Sequence, residues 1–399
     1  MVPAVSAFMP LISMTVIQRA LGAERWAEAA IGMAVGMFGA GIVDFGYGVL
    51  GPSRVARTLD PQERAQVYAT SLRIRLWVSA GVLPVLFVVA EMIGPTAGIA
   101  GAGLVAVATA IVGLAPNWYY IGAGRASGLL LADTLPRLAV TAISAVVLLF
   151  VPSLNLYGAI MVVGVAAAYT GASVMIVRGR SRVGWRLGRA DRAEARRHLS
   201  LVGPALVTSV YTTLTTPIVG IVAPTQLASY GAADRLRGMI RQIETAAGNG
   251  LQSWVSEHLD DGPVTRRRMM RTVALMAGVG AVAAIGTATL MPWVQDLISG
   301  GTVRVDRATS VLAGLSLFFI AINISLVYHV LAPLKLARPI AVSALAAALV
   351  GLPVVIGLAH LYGAAGAMGG VAVAELVSGA VLAVTVRPAL RRLTAPARS

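Results

Sequence analysis

Two runs near the C-terminal end, PIAVSALAAALVGLPVVIGL at 339–358 and GAAGAMGGVAVAELVSGAVLAVTV at 363–386, are separated only by Ala359-His360-Leu361-Tyr362. The first run has no ionisable side chain and the second has one, Glu375. About 20 apolar residues wound as a helix match the hydrocarbon thickness of a bilayer. The pair therefore reads as two membrane spans joined by a tight turn. Working back along the chain, runs of the same kind fall at roughly 2–18, 27–50, 74–93, 99–121, 129–151, 156–177, 201–222, 227–255, 272–294 and 311–331, which makes twelve. The whole chain agrees with that reading: 399 residues, 57% hydrophobic, 12% charged, mean hydropathy +0.79. A soluble domain is about 45–50% apolar and about 25% charged, so this composition cannot cover a water-facing surface. Twelve spans of ~20 residues use ~240, and the remaining ~160 make short loops.

Several function classes drop out. There is no cysteine, so disulfides and thiolate metal sites are excluded. The one lysine, Lys335, is followed by Leu336, whereas a P-loop lysine needs Ser or Thr after it. The four histidines (His198, His258, His329, His360) are scattered and form no HExxH pair. No cofactor, metal or nucleic-acid partner is expected. The first run is not a cleavable signal, because no Lys or Arg precedes Arg19.

The net charge of +15 reports topology first, since cytoplasmic loops collect Lys and Arg. With the N-terminus inside, only Arg19, Arg25, Arg304 and Arg307 fall outside, and three of the 32 basic residues lie within span eight. The other 25 lie at the inner face, among them Arg54, Arg57, Arg64, Arg73 and Arg75. Both termini are expected in the cytoplasm of a plasma-membrane protein. Arg178 to Ser200 carries eight arginines and divides the spans six and six. The expected domains are 1–177 and 201–387, six helices each, with a basic linker at 178–200 and a tail at 388–399. Leu156-Tyr157-Gly158-Ala159 is echoed by Leu361-Tyr362-Gly363-Ala364, and Pro3-Ala4 by Pro204-Ala205, at matching places in the two halves. Repeated halves of this kind are a transporter architecture. A Ser181→Cys chain has no competing thiol, so an impermeant reagent should label it only after the cells are opened. Labelling in intact cells would invert the topology.

Span eight carries Asp234, Arg235, Arg237, Arg241 and Glu244. A charge at a helix centre costs ~2.5–3.5 kcal/mol on the insertion scale, so five cannot face lipid. At 100° per residue Asp234, Arg237, Arg241, Glu244 and Gly248 share an ~80° stripe. Arg235 lies beside it, and Leu236, Met239, Ile240, Ile243, Ala246 and Ala247 lie opposite. The sequence leaves two readings open: the charges neutralise one another, or the stripe lines a wet cavity that receives an anion. Arginine suits an anion because its planar fork matches phosphate oxygens. Arg241, Arg237 and Arg235 are the substrate-binding candidates, with Arg19 at the outer end of span one. Asp44 in span two and Glu375 in span twelve are candidates for a driving ion, Asp44 alternatively as partner of a buried arginine. Asn323 is expected to bond between helices, Asp133 and Arg137 to form an i,i+4 pair. Asn117-Trp118-Tyr119-Tyr120 is read as part of the interfacial aromatic belt.

In order along the chain, these features resemble the polysaccharide or O-antigen flippases of the multidrug/oligosaccharidyl-lipid/polysaccharide exporter superfamily. The resemblance rests on Arg19-Ala20-Leu21-Gly22, on Asp44-x-Gly46 with Arg54 beyond it, and on Trp118 and Gly122 followed by Arg125. It continues through Ala228-Ser229-Tyr230-Gly231-Ala232-Ala233-Asp234-Arg235, Tyr157-Gly158 and Tyr362-Gly363. Ile121 stands where the family carries Gln. The resemblance implies an all-α integral membrane protein, with about twelve helices in two six-helix bundles around a central cationic cavity. It implies a non-enzymatic carrier that flips polyprenyl-pyrophosphate-linked oligosaccharide to the outer leaflet, with membrane lipids and polysaccharide polymerase machinery as partners. A drug antiporter of the same superfamily remains the alternative, followed by a membrane glycosyltransferase or ligase.

Overall fold

Asp60 starts the longest uninterrupted helix of the first half. Its carboxylate accepts from the amides of Gln62 and Glu63, and Pro61 occupies the first helical position. The computed structural model describes residues 2–94, 101–178, 188–189, 191–196, 198–199, 213–256, 262–334 and 336–392. They contain helices and turns and, among the described residues, no strand. Ser181, Ser200, Pro204 and Ala205 lie outside them, as does most of span seven. The chain forms two compact units, Met1–Pro217 with Ile298–Thr302, and Ile218–Leu297 with Val303–Ser399. The division thus falls inside expected span seven, and the described part of the basic linker belongs to the first unit.

In the first unit, α1 (Val2–Asp44) holds spans one and two, joined where Gly22 takes φ 79°. Span two breaks again at Phe45 (φ 52°) and Gly46 (φ 78°), and α2 (Tyr47–Arg57) follows. Then come α3 (Pro61–Ile93), α4 (Gly101–Ile111), α5 (Asn117–Gly122), α6 (Ala126–Leu129), α7 (Leu135–Phe150) and α8 (Leu154–Val177). Small residues set the closest approach. A Cβ on Gly32 or Gly36 would strike the carbonyl oxygens of Ala102 and Ala106, so α1 and α4 meet backbone to backbone.

The second unit contains α9 (Thr215–Val222, shared across the division), α10 (Leu227–Ser256), α11 (Gly262–Ser299), α12 (Arg307–Ser325) and α13 (Ala337–Arg392). Asp306 caps α12 through the Thr309 amide. Beyond Ser325 the chain widens to i→i+5 bonding, as in Ala332 N–H to Val327 O at 2.9 Å. Gly363, at φ 59°, splits α13 into the two spans quoted at the outset.

Eight helical stretches among the described residues are long and apolar enough to span a membrane, and two of them, Leu11–Arg57 and Arg338–Pro388, each hold two expected spans. The protein is a multi-pass membrane protein. Three expectations need correction. The Tyr-Gly echo is not a repeated geometry: Tyr157 is buried and Gly158 helical, whereas Tyr362 is exposed and Gly363 is the turn itself. The aromatic belt fails too, since Trp118 and Tyr119 are buried and packed against Tyr47 and Tyr68 at centroid distances of 5.4–5.7 Å, Trp118 stacked on Tyr68 and Tyr119 edge-on to it. The turn at Ala115-Pro116 sends α5 back against α2, where Gly51 leaves room for the Trp118 indole and Gly122 for the Pro52 carbonyl. Finally, Arg75 is no loop charge; it lies inside the bundle with no exposed surface.

Candidate functional site

The charged stripe of α10 is packed inside the second unit, and the opposite face is buried at Leu236 and Met239 and opens only from Ile243 onward. Arg237, Glu244 and Gly248 are buried, while Ile243, Ala246 and Ala247 are exposed. The stripe lies against α12 and α13 because those helices supply its polar partners. Arg237 donates to Asp234 Oδ1 from Nη2 (2.6 Å) and Nε (3.2 Å). Glu375 arrives from α13, where Asn323 Nδ2 donates to its Oε2 and to its backbone carbonyl, both at 3.0 Å. Arg241 and Arg237 stand within electrostatic reach of both Glu375 and Glu244. One turn further, His329 Nε2 bonds the Gly248 carbonyl (2.8 Å) and its Nδ1 pairs with Ser325 Oγ (2.9 Å). The ring is fully buried. Arg241 and Arg235 are half-buried.

Glu375 alters the charge balance read from span eight alone. Three arginines against two acids leave a positive stripe; the third carboxylate brings the cluster to three against three. Within the stripe, Arg237 forms a contact ion pair with Asp234. An apolar groove in the same unit, lined by Leu312, Phe319, Leu358, Tyr362 and Leu376, carries no charge. The polar cluster, not the groove, is the candidate anion site.

The first unit holds a second polar centre, around the break in span two. Asp44 accepts from the Gly48 amide at 2.9 and 3.0 Å, capping α2, while Gly46 takes the left-handed turn. That explains the spacing of Asp-x-Gly. Arg75 lies in electrostatic reach of Asp44, donates to Gly113 O (2.9 Å) and Ala115 O (3.3 Å), and sits 5.7–5.8 Å from the Trp118 and Tyr47 ring centroids. From outside the bundle, described residues of the basic linker cover the same break. His198 stacks on Tyr47 (4.3 Å) and its Nδ1 bonds Phe45 O (3.0 Å). Glu194 accepts from Tyr47 Oη (2.8 Å) and pairs with Arg54, and Asp191 pairs with Arg73 (2.8 Å). Deeper in, Asp133 receives Arg137, Tyr169 and Asn117.

No family model matches the sequence, and no curated protein matches it. Solved structures do match. A multidrug-resistance MATE-family transporter of the MOP superfamily, inward-facing, aligns over 97% of this chain and 95% of its own at TM-score 0.65 and 13% identity. The lipid II flippase MurJ, inward closed, aligns over 98% and 88% at 0.66 and 12%. The eukaryotic MATE transporter AtDTX14 aligns over 98% and 96% at 0.56 and 15%. The chain has the fold of the MATE and MurJ transporters.

On this MATE- and MurJ-like fold, Arg237, Arg241 and Glu375 come together in one unit, with Arg235 beside them. Asp44 and Arg19 belong to the other unit. Arg19 is exposed and its Nε donates to Ile298 O (2.9 Å). The expected bond of Asn323 and the pair Asp133–Arg137 are present. Arg75, His198, Glu194 and His329 were not singled out by sequence. Only Arg75 left a trace there, as a charge at the edge of an apolar run.

Proposed function

We propose that this chain flips polyprenyl-pyrophosphate-linked oligosaccharide from the cytoplasmic to the outer leaflet by alternating access. In this reading it lies in the plasma membrane with both termini cytoplasmic, supplies polysaccharide polymerase machinery, and performs no catalysis. Fold likeness does not choose the solute, because 0.65 for a multidrug transporter and 0.66 for a lipid II flippase are equivalent. Charge chooses. A cationic drug gains nothing from arginines at membrane depth, whereas a pyrophosphate does. The observation that carries the reading is Arg241, half-buried and, among the described residues, in no contact ion pair. Arg237 shares its face but is engaged by Asp234, so it supports the site rather than leading it. Arg235, and Arg19 at the outer end of span one, are assigned to the later passage of the anion. Asp44 and Glu375 are the proposed ion-coupling carboxylates.

The test is export by an Arg241→Ala chain. Loss of charge-assisted hydrogen bonds worth about 1.5–3 kcal/mol each should cut export roughly 10- to 100-fold, with lipid-linked intermediate accumulating on the cytoplasmic leaflet. Arg241→Lys should recover part, because an ammonium keeps the charge and loses the fork. Wild-type export by a well-inserted Arg241→Ala chain would remove the anion site.

A further inference from the structure

The described residues of the basic linker between 189 and 199 are helical, and their side chains divide by face. Asp191 and His198 are buried and Glu194 is half-buried, at the spacing of one helix face, whereas Arg192, Arg196 and Leu199 are exposed. The inward face meets the first unit at the break in span two. His198 Nδ1 donates to the Phe45 carbonyl, which can only accept, and Tyr47 Oη and Arg54 both donate to Glu194. Asp191 holds Arg73 of α3. Among the described residues, Phe45 alone of the non-glycines has positive φ, a conformation unfavourable for an L side chain. The break also redirects two hydrogen bonds. In a continuous helix the amides of Gly48 and Val49 donate to the carbonyls of Asp44 and Phe45, four residues back. Here Gly48 donates to the Asp44 carboxylate and Val49 to the Gly46 carbonyl at 3.2 Å. The broken shape is therefore strained at Phe45 and deprives its carbonyl of the Val49 amide. The linker supplies the replacement donor.

We propose that the linker helix is a removable clasp on span two. Docked, it holds the break at Phe45-Gly46; released, it lets span two continue into α2 as one helix. Every group in the clasp belongs to the first unit. The clasp can detach because polar contacts, rather than apolar burial, attach it. Of its described apolar residues only Ala195 packs against the aromatic core beneath, while Ala193 and Leu199 face out. The Arg54 side chain is 46% exposed and that of Arg73 19%, so water can replace both ion pairs at small cost. Straightening returns Phe45 to ordinary helical φ and gives its carbonyl the Val49 amide in place of His198. It also gives the Gly48 amide back to the Asp44 carbonyl, which leaves the Asp44 carboxylate uncapped. The linker thus sets whether Asp44 is a helix cap, although His198 stands 153 residues from Phe45.

The test uses the purified full-length chain in lipid nanodiscs, where the lack of native cysteine lets nitroxide labels be placed in pairs. Leu59→Cys with Arg192→Cys, both at exposed positions, reports the clasp. Met37→Cys with Val49→Cys, exposed on either side of the break, reports the shape of span two. A continuous helix from residue 37 to residue 49 spans ~18 Å of backbone. Without further change, the Leu59–Arg192 pair should give one docked distance. Glu194→Ala with His198→Ala removes three clasp hydrogen bonds and should lower the ratio of docked to released chains roughly tenfold or more. A new distance should then appear in both pairs together. A new distance in the Leu59–Arg192 pair alone would mean that the linker does not hold the break, and would overturn the proposal. So would an unchanged Leu59–Arg192 distance. Failure of the double variant to fold would make the helix a fixed part of the core, and would equally overturn it. No export is measured, so the result is independent of the solute.

Discussion

Arg237→Ala is expected to strip the second unit of much of its stability, and Arg241→Ala, which removes a cation near the buried Glu375 and Glu244 but breaks no contact ion pair, should cost less. The difference lies in burial. The Arg237 side chain is 6% exposed and holds Asp234 through two nitrogens. Removing one member of a buried pair strands the other, at a cost of about 3–5 kcal/mol. For a unit of this size that lowers the melting temperature by roughly 6–20 °C. The Asp234→Ala/Arg237→Ala double substitution should recover a large part of the loss, because no charge is then stranded. A double-mutant cycle on melting gives the pair's coupling directly. Equal melting of wild type and Arg237→Ala would mean that Asp234 and Arg237 do not depend on each other. The same measurement separates folding from transport when export by either variant is scored.

The second large effect is expected at Arg75. Its guanidinium has no exposed surface, donates to the Gly113 and Ala115 carbonyls, and faces the Tyr47 and Trp118 rings. Arg75→Ala leaves two buried carbonyls short of a donor, opens a cavity between four helices and removes two cation–π contacts. Together these should cost about 3–5 kcal/mol, seen as early melting and reduced membrane yield. Arg75→Lys should recover less than half, since an ammonium cannot reach both carbonyls and also lie against the rings. Asp44→Asn should be milder, because an amide oxygen still accepts from Gly48. If Arg75→Ala melts like the wild type, the guanidinium is not what holds the span-two break.

Both residues show where sequence reading succeeds and where it stops. Apolar length located ten of the twelve expected spans, since a bilayer sets a minimum length for a helix; span eight, with its charges, is not among the apolar stretches and most of span seven lies outside the described residues. The turns at Gly22 and Gly363 fall in motifs quoted from the sequence, since local backbone geometry depends on local residues, whereas the capping of α2 by Asp44 was not read there. Periodicity placed Asp234, Arg237, Arg241 and Glu244 on one face correctly. It left two readings of that face open, mutual neutralisation or a wet cavity, because a single helix cannot announce that Glu375 and Asn323 arrive from helices 80 to 140 residues away. Arg75 was counted with the cytoplasmic loop for a related reason. The apolar run begins near residue 74, yet Asp60 starts the helix more than three turns earlier, which brings Arg75 inside. Trp118 and Tyr119 carry the composition of an interfacial belt. Only Gly51 and Gly122, two glycines seventy residues apart, turn that composition into a core.

The contact between α1 and α4 has a consequence for biogenesis. Gly32 and Gly36 meet Ala102 and Ala106, and Gly113 meets the Ala40 carbonyl, so this seam is built wholly from the first 113 residues. A ribosome that has released span four into the bilayer has delivered both sides of it, with more than half of the 399 codons still to be read. The first unit can begin to close before span eight, with its arginines, enters the translocon. The most expensive helix to insert is then made after the first unit has begun to fold.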